Sequence, residues 1–291
     1  MVVPCTPHPG FGSVVIERPG IVERIDLSTC HATTAPPQAP SSPVKVVITR
    51  RGKAGTQSIV FHGRRVLTVR ESFARAPAGM PGPIVPEGVS PDGKWILYAI
   101  DPQGSASLMA DGLMLKAIRT TGGRSYTVAS GLAYTDYRAW CGGKLVVTAG
   151  GDREATVHKQ LVVTGPPHWK ARPLTALRGR AWGSVTCAPD GRSVVIQSQP
   201  AEELQNFFAT RWAIWRVRLD GKATQLTRPP VHYADESPRF GPDGTLYFVR
   251  STRGNGKLYA VRRGGVVGPL ISLGFSLGYY GANAWPYRVT R

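Results

Sequence analysis

Ala188-Pro189-Asp190-Gly191-Arg192-Ser193-Val194-Val195-Ile196 joins a tight turn to an apolar, β-branched run, and its recurrence decides the fold. Pro-Asp-Gly returns at Pro91-Asp92-Gly93 and Pro242-Asp243-Gly244, each again followed by an apolar run (95–100 and 246–249). Gly93 and Gly191 are 98 residues apart, and Gly191 and Gly244 are 53 apart. Near the middle of the longer gap lies Gly142-Gly143-Lys144, followed by Leu145-Val146-Val147. The period is therefore about 50 residues with one degenerate copy, the spacing of an array of supersecondary units. An Asp-Gly pair fits a tight hairpin, with glycine supplying positive φ. The residues before it form one strand and those after it the next.

In the clearest unit, residues 184–189, 192–199, 211–219 and 223–227 read as strands A to D, with Asp220-Gly221 as a second turn. The next unit reads 236–242, 245–251, 257–262 and 266–273. The two before it read 136–141, 144–149, 159–164, 172–177 and 87–91, 94–100, 113–119, 125–129. Four antiparallel strands at this period predict a β-propeller blade. Segments 13–18 and 21–27 form a hairpin with no strand A before it, while 283–290 reads as a strand A with nothing after it. Joined, they complete one blade across the termini, a closure that removes free sheet edges. Segments 44–49, 57–61 and 65–70 give a further irregular blade. The expectation is an all-β, six-bladed propeller of four-stranded antiparallel blades. It comprises an extension over 1–12 and one domain over 13–291. The blades span about 13–37 with 282–290, 44–86, 87–130, 136–177, 184–228 and 236–273.

Composition agrees. Glycine (34) and proline (25) are spread as punctuation, which suits many short strands and turns. The net charge is +18, with 27 Arg against 9 Lys. The basic residues are dispersed, the longest runs being pairs such as Arg50-Arg51, Arg64-Arg65 and Arg262-Arg263. An Arg-rich composition explains them better than a nucleic-acid motif does. Sequence-specific nucleic-acid binding is not expected, and general polyanion binding is the weakest of three readings. No run of 18 apolar residues exists to span a membrane. Residues 1–5 are too short for a secretion signal. None of the four cysteines falls in a Cys-x-x-Cys pair, so a zinc site is not expected. Cys141 and Cys187 occupy nearly the same place in successive repeats, which suggests a disulfide, with Cys5–Cys30 as its counterpart. The alternative is four buried thiols. Either bridge implies an oxidising compartment.

Ser90-Pro91-Asp92-Gly93-Lys94 followed by Ile96-Leu97-Tyr98, and Leu219-Asp220-Gly221 followed by Gln225-Leu226-Thr227, resemble the repeat of TolB-like β-propellers. That repeat runs through a Ser-Pro-Asp-Gly-Lys turn, an apolar strand, an Asp-x-x-Gly turn and a terminal Leu-Thr. The resemblance covers about 87–273 well and the ends loosely. It departs at Cys141-Gly142-Gly143, where Pro-Asp is missing, and throughout 32–86. It implies a six-bladed propeller, extracytoplasmic and serving as a docking surface for other proteins; fold does not fix activity.

Function is sought in the connections. A–B and C–D turns read as short throughout. B–C and D–A connections read as long: 101–112, 150–158, 200–210, 228–235 and 274–281. Both long types leave an antiparallel blade on one face, and binding residues concentrate on loops held by a rigid scaffold. That face carries Asp152, Arg153, Glu154, Phe207, Phe208, Arg211, His232, Tyr233, Asp235, Glu236, Tyr279 and Tyr280, a mixture that suits recognition. Phe207 and Phe208 also suit a role plugging a blade edge, and Asp235 and Glu236 a role satisfying loop N–H groups.

Catalytic patterns are thin. Gly274-Phe275-Ser276-Leu277-Gly278 matches the Gly-x-Ser-x-Gly pattern, but no helical pattern follows it. The six histidines show no metal spacing. Asp152, Glu154, Asp235 and Glu236 have oxygen ligands suited to Ca²⁺, yet their spacing does not require it. No catalytic residue, metal or cofactor is assigned. The expected function is a monomeric binding scaffold for a protein or an anionic cell-envelope polymer. The alternative is a propeller lyase or hydrolase acting in the central funnel, with His232 and Asp235 or Glu236, plus Asp152, as its candidate groups.

Overall fold

The computed structural model describes residues 4–18, 21–35, 42–51, 54–72, 84–100, 112–175, 177–201, 211–253, 255–262, 265–276, 285 and 287–290. These form six antiparallel sheets, five of four strands and one of three. Blade 1 holds β1 (Ser13–Arg18), β2 (Ile21–Asp26) and β3 (Ala32–Thr34). Blade 2 holds β4 (Val44–Arg51), β5 (Ala54–Phe61) and β6 (Arg64–Ser72). Blade 3 is β7 (Ile84–Val89), β8 (Trp95–Ile100), β9 (Gly112–Arg119) and β10 (Tyr126–Leu132). Blade 4 is β11 (Arg138–Cys141), β12 (Lys144–Ala149), β13 (Gln160–Thr164) and β14 (Arg172–Pro173). Blade 5 is β15 (Arg180–Cys187), β16 (Ser193–Pro200), β17 (Ala213–Arg218) and β18 (Ala223–Gln225). Blade 6 is β19 (Ala234–Phe240), β20 (Leu246–Thr252), β21 (Asn255–Arg262) and β22 (Gly265–Phe275). The last strand, β23 (Tyr287–Thr290), pairs antiparallel with β1, from Ser13↔Thr290 to Ile16↔Tyr287, and supplies the inner strand of blade 1. The chain is a six-bladed β-propeller closed by its own ends.

The Pro-Asp-Gly turns are built alike. Gly93, Gly191 and Gly244 take φ of +70°, +63° and +76°, a region L-residues rarely occupy. The aspartate before each accepts from the backbone beyond the turn: Asp92 from Lys94 N (3.2 Å), Asp190 from Arg192 N (2.8 Å), Asp243 from Thr245 N (3.1 Å). Hydrogen bonding holds all three carboxyls below the ordinary Asp value of 3.8, from the Ser90 hydroxyl at Asp92 and the Arg192 N–H at Asp190. At Asp243 burial opposes the shift, and the Thr245 hydroxyl and N–H outweigh it. A depressed folded pKa gives stability that is present above pH 4 and is lost as pH falls through the folded values. Replacing all three aspartates with asparagine should flatten the fall of Tm between pH 5 and pH 2. A slope identical to that of the parent would remove these turns from the acid response.

Neighbouring sheets bury alternate residues of each strand against each other. In β16, Val194 and Ile196 join Val146 and Val163 of blade 4, while Val195 joins Leu246 and Phe248 of blade 6. Period-two alternation thus serves two interfaces at once, which is why these strands read as continuous apolar runs. Polar side chains on second strands latch the inner strand of the next blade. Gln57 Oε1 accepts from Ile84 N (2.9 Å), Gln197 Oε1 accepts from Ser237 N (2.8 Å), and Thr148 Oγ1 donates to Gly183 O (2.7 Å). Ser237 and Gly183 lie in β-bulges of β19 and β15, where ladder partners are displaced.

Both disulfides join neighbouring blades. Cys141–Cys187 links the ends of β11 and β15, with Cα atoms 5.2 Å apart. Cys5–Cys30 ties the N-terminal segment to the β2–β3 turn. That segment is integral to the seam. Thr6 N donates to Leu270 O (3.0 Å), Ser272 N to Pro4 O (3.0 Å) and His8 N to Leu27 O (2.8 Å), and Phe11 enters the core between blades 6 and 1.

Three connections differ from the sequence reading. The C–D connection of blade 4 is long, residues 165–171, because Trp169 folds back into the core between blades 3 and 4. β14 ends at Pro173, four residues short of the expected strand. In blade 6 the B–C link is short, β20 ending at Thr252 and β21 beginning at Asn255.

Candidate functional site

The long B–C and D–A connections emerge at one end of the strands, and the site is built there. In blade 4, residues 150–159 join β12 to β13. Gly150 sits at φ +135°, and a Cβ on it would come within 2.2 Å of the His158 carbonyl oxygen, so the loop's two ends can meet only through glycine. Lys159 is buried inside this loop and donates to the carbonyls of Asp152 (2.7 Å) and Val157 (3.0 Å). Burial pushes its ammonium down to about 8, against the raising effect of the Asp152 and Glu154 carboxylates. At the exposed edge His158 Nδ1 lies 3.0 Å from Asp152 Oδ2.

Asp235 and Glu236 open the inner strand of blade 6 and are fully buried. The Arg250 guanidinium donates to both Asp235 oxygens, Nε to Oδ1 at 2.7 Å and Nη2 to Oδ2 at 2.9 Å. Arg250 also lies over the rings of Phe248 (5.7 Å) and Tyr259 (5.0 Å). Glu236 accepts from Ser251 Oγ, and from Trp285 Nε1 at 3.4 Å. Both carboxylates are therefore consumed inside the scaffold. Beside them Leu132, Tyr134, Tyr137, Ala155, Ala181, Trp212 and Ala234 form an apolar layer drawn from blades 3 to 6, every member nearly inaccessible. Most sit where inner strands begin, so this layer fills the space just beneath the long-loop face.

A groove of about 560 Å³ opens at the same end between blades 4 and 5. Arg178 and Arg180 contribute its guanidinium groups; Lys159, whose ammonium is bonded inside the loop, and His158, which faces Asp152, line it as well. Leu161, Leu177 and Trp182 form its apolar wall, and no carboxylate lines it among the described residues. Arg180 is held rigidly: its guanidinium lies 4.4 Å over the Trp215 ring and its Nε donates to Ser198 Oγ (2.9 Å).

Among the residues expected from sequence, Asp152, Arg153, Arg211, His232 and Tyr233 are exposed, and Glu154 is half-buried. Arg211 N donates to Gln199 Oε1 (2.8 Å), and His232 holds φ +67° in the turn before β19. Phe207, Phe208, Tyr279 and Tyr280 lie outside the described residues. Asp152, Glu154, Asp235 and Glu236 do not converge. Among the described residues no three His, Cys, Asp or Glu side chains gather as a metal site would require. In the Gly-x-Ser-x-Gly stretch Gly274 belongs to β22 and Ser276 follows it; Leu277 and Gly278 lie outside the described residues. Sequence reasoning missed Arg178 and Arg180, because residues up to 177 read as a strand and the connection after them was not among the long ones named. Arg178-Gly179-Arg180, two cations about a glycine, was the available signal.

No protein-family model and no curated protein matches the sequence. Among solved structures the chain is similar to a protein described as TolB from Agrobacterium tumefaciens: 18% identity, 94% of this chain and 93% of that one, TM-score 0.49. It is also similar to TolB from Acinetobacter baumannii: 16% identity, 86% of this chain and 60% of that one, TM-score 0.45. An oligogalacturonate lyase in complex with manganese is similar at 15% identity, over 90% of this chain and 73% of that one, TM-score 0.45. At these identities the likeness concerns the fold alone.

Proposed function

We propose that this propeller is a non-catalytic docking scaffold that holds a protein or an anionic cell-envelope polymer on its long-loop face. One observation carries the reading. The carboxylates nearest the inner strands, Asp235 and Glu236, are locked in buried contacts beneath the surface. The exposed groups on this face are mainly basic and aromatic, Arg153, Arg211, His232 and Tyr233, with Asp152 the exposed carboxylate among them. A buried apolar cluster drawn from blades 3 to 6 lies beside the beginnings of the inner strands. A rigid, broad surface of Arg, His and Tyr is the composition of a recognition face. The two disulfides support an extracytoplasmic setting, since such bridges persist in oxidising compartments. Among the described residues no helix is long and apolar enough to cross a membrane.

Charge reversal tests this reading. The Arg153→Glu/Arg211→Glu double variant should lose capture of its partner from cell-envelope extract by at least about tenfold while its thermal midpoint stays near that of the parent. Undiminished capture would move the docking surface away from this face.

A further inference from the structure

We infer that the groove between blades 4 and 5 is a recognition site for a short acidic peptide segment of a partner protein, in which carboxylates alternate with large apolar side chains. This rests on the docking reading and names the chemistry of its occupant.

Charge comes first. Arg178 is exposed in the connection leading to β15, and Arg180 begins β15 itself. Neither guanidinium has a carboxylate partner among the described residues. Other arginines of blades 5 and 6 do have one: Arg216 with Asp190, Arg218 with Asp220 and Arg250 with Asp235. The Arg180 side chain is already ordered by the Trp215 ring and Ser198. Its remaining N–H groups can engage an incoming carboxylate with little further loss of rotamer freedom. Partial burial lowers the Arg180 pKa, the sign of a cation lacking full solvation. An anion would restore that solvation.

The walls decide which anion. Leu177, 43% exposed, is the apolar side chain the groove offers beside its cations, while Leu161 and Trp182 belong to the packed core at its floor. A saccharide site offers an exposed aromatic plate and carboxylates or amides for hydroxyl groups. Here Trp182 is only 2% exposed, no carboxylate lines the groove among the described residues, and Gln160 alone supplies a side-chain amide. Alternating charge and aliphatic side chains suit a peptide instead. The volume, about 560 Å³, is in the range of ordinary ligand clefts.

The test uses the full chain with a fluorescein-labelled five-residue peptide alternating Glu and Leu, followed by anisotropy at fixed salt. The parent should bind it saturably, and the same peptide with Gln in place of Glu should not bind. Arg178→Glu should weaken binding at least about tenfold, Arg178→Lys less than about threefold. Arg192→Glu makes the same charge change on the opposite face, at the exposed turn before β16, and should shift affinity less than about twofold. Equal losses in Arg178→Glu and Arg192→Glu would reduce the binding to the diffuse charge of +18. Tighter displacement by trigalacturonate, abolished by Arg178→Glu, would make the groove a uronate site and overturn the peptide assignment. Absence of saturable peptide binding, with capture still lost in Arg153→Glu/Arg211→Glu, would overturn the groove assignment and leave the docking face standing.

Discussion

Asp235→Ala should lower the unfolding free energy by about 3–5 kcal/mol, among the largest losses any single side chain here can cause. The carboxylate is fully buried, and both of its oxygens are used by Arg250, whose side chain is 16% exposed. The Asp235 carboxylate is the first cause of the raised Arg250 pKa. Removing it strands a guanidinium over the Phe248 and Tyr259 rings, with too little water to solvate it. Asp235→Asn keeps the shape and one acceptor and should cost less. Urea unfolding of Asp235→Ala, Arg250→Ala and the double variant gives the coupling directly. The double variant should be more stable than Asp235→Ala alone. A single-variant loss under about 1 kcal/mol would mean that solvent already reaches the pair.

Cys141→Ser/Cys187→Ser should remove about 4 kcal/mol, the chain-entropy value for a cross-link across 46 residues. The bridge ties the inner strands of blades 4 and 5 at the end opposite the groove, next to the Gly142-Gly143 and Pro189-Asp190-Gly191 turns. Here the backbones already approach closely: a Cβ on Gly142 would lie 2.5 Å from Gly191 O. The loss should therefore appear as a lower global midpoint in calorimetry. The groove's peptide affinity should remain at the parental value below that midpoint. A midpoint unchanged by reduction would show that packing between these blades suffices without the bond.

The turns were legible because each demands glycine at positive φ, and the ring closure because the two ends offered complementary partial blades. The pairing of Asp235 was not. With Phe240 opposite Leu246 and Arg239 opposite Tyr247, an unbroken ladder would place Glu236 opposite Arg250. The bulge at Ser237–Pro238 shifts the register by one, so Asp235 faces Arg250 and Glu236 faces Val249. Nothing in the residue types announces that shift. Its support is the Gln197 side chain on another blade, a contact far away in sequence. The short β14 escaped for a related reason. The apolar Leu174 and Leu177 extend the strand reading, and Leu174 N still donates to Leu161 O in the register of the β13–β14 ladder, but the pairing ends there. The residues beyond it then line the groove rather than extend the blade.

The pairing of β23 with β1 also sets a timetable. On the ribosome, Val14 and Ile16 emerge more than 270 residues before their partners Val289 and Tyr287. At ordinary elongation speeds that interval is roughly 15–55 s. Throughout it the first hairpin presents an unsatisfied edge to any neighbouring nascent chain. Cys5 and Cys30 are only 25 residues apart, so their bond can form within that interval and fold the segment before β1 onto the hairpin before its final partner exists. A delay in oxidation would then show itself first as aggregation during synthesis, and only secondarily as a less stable finished ring.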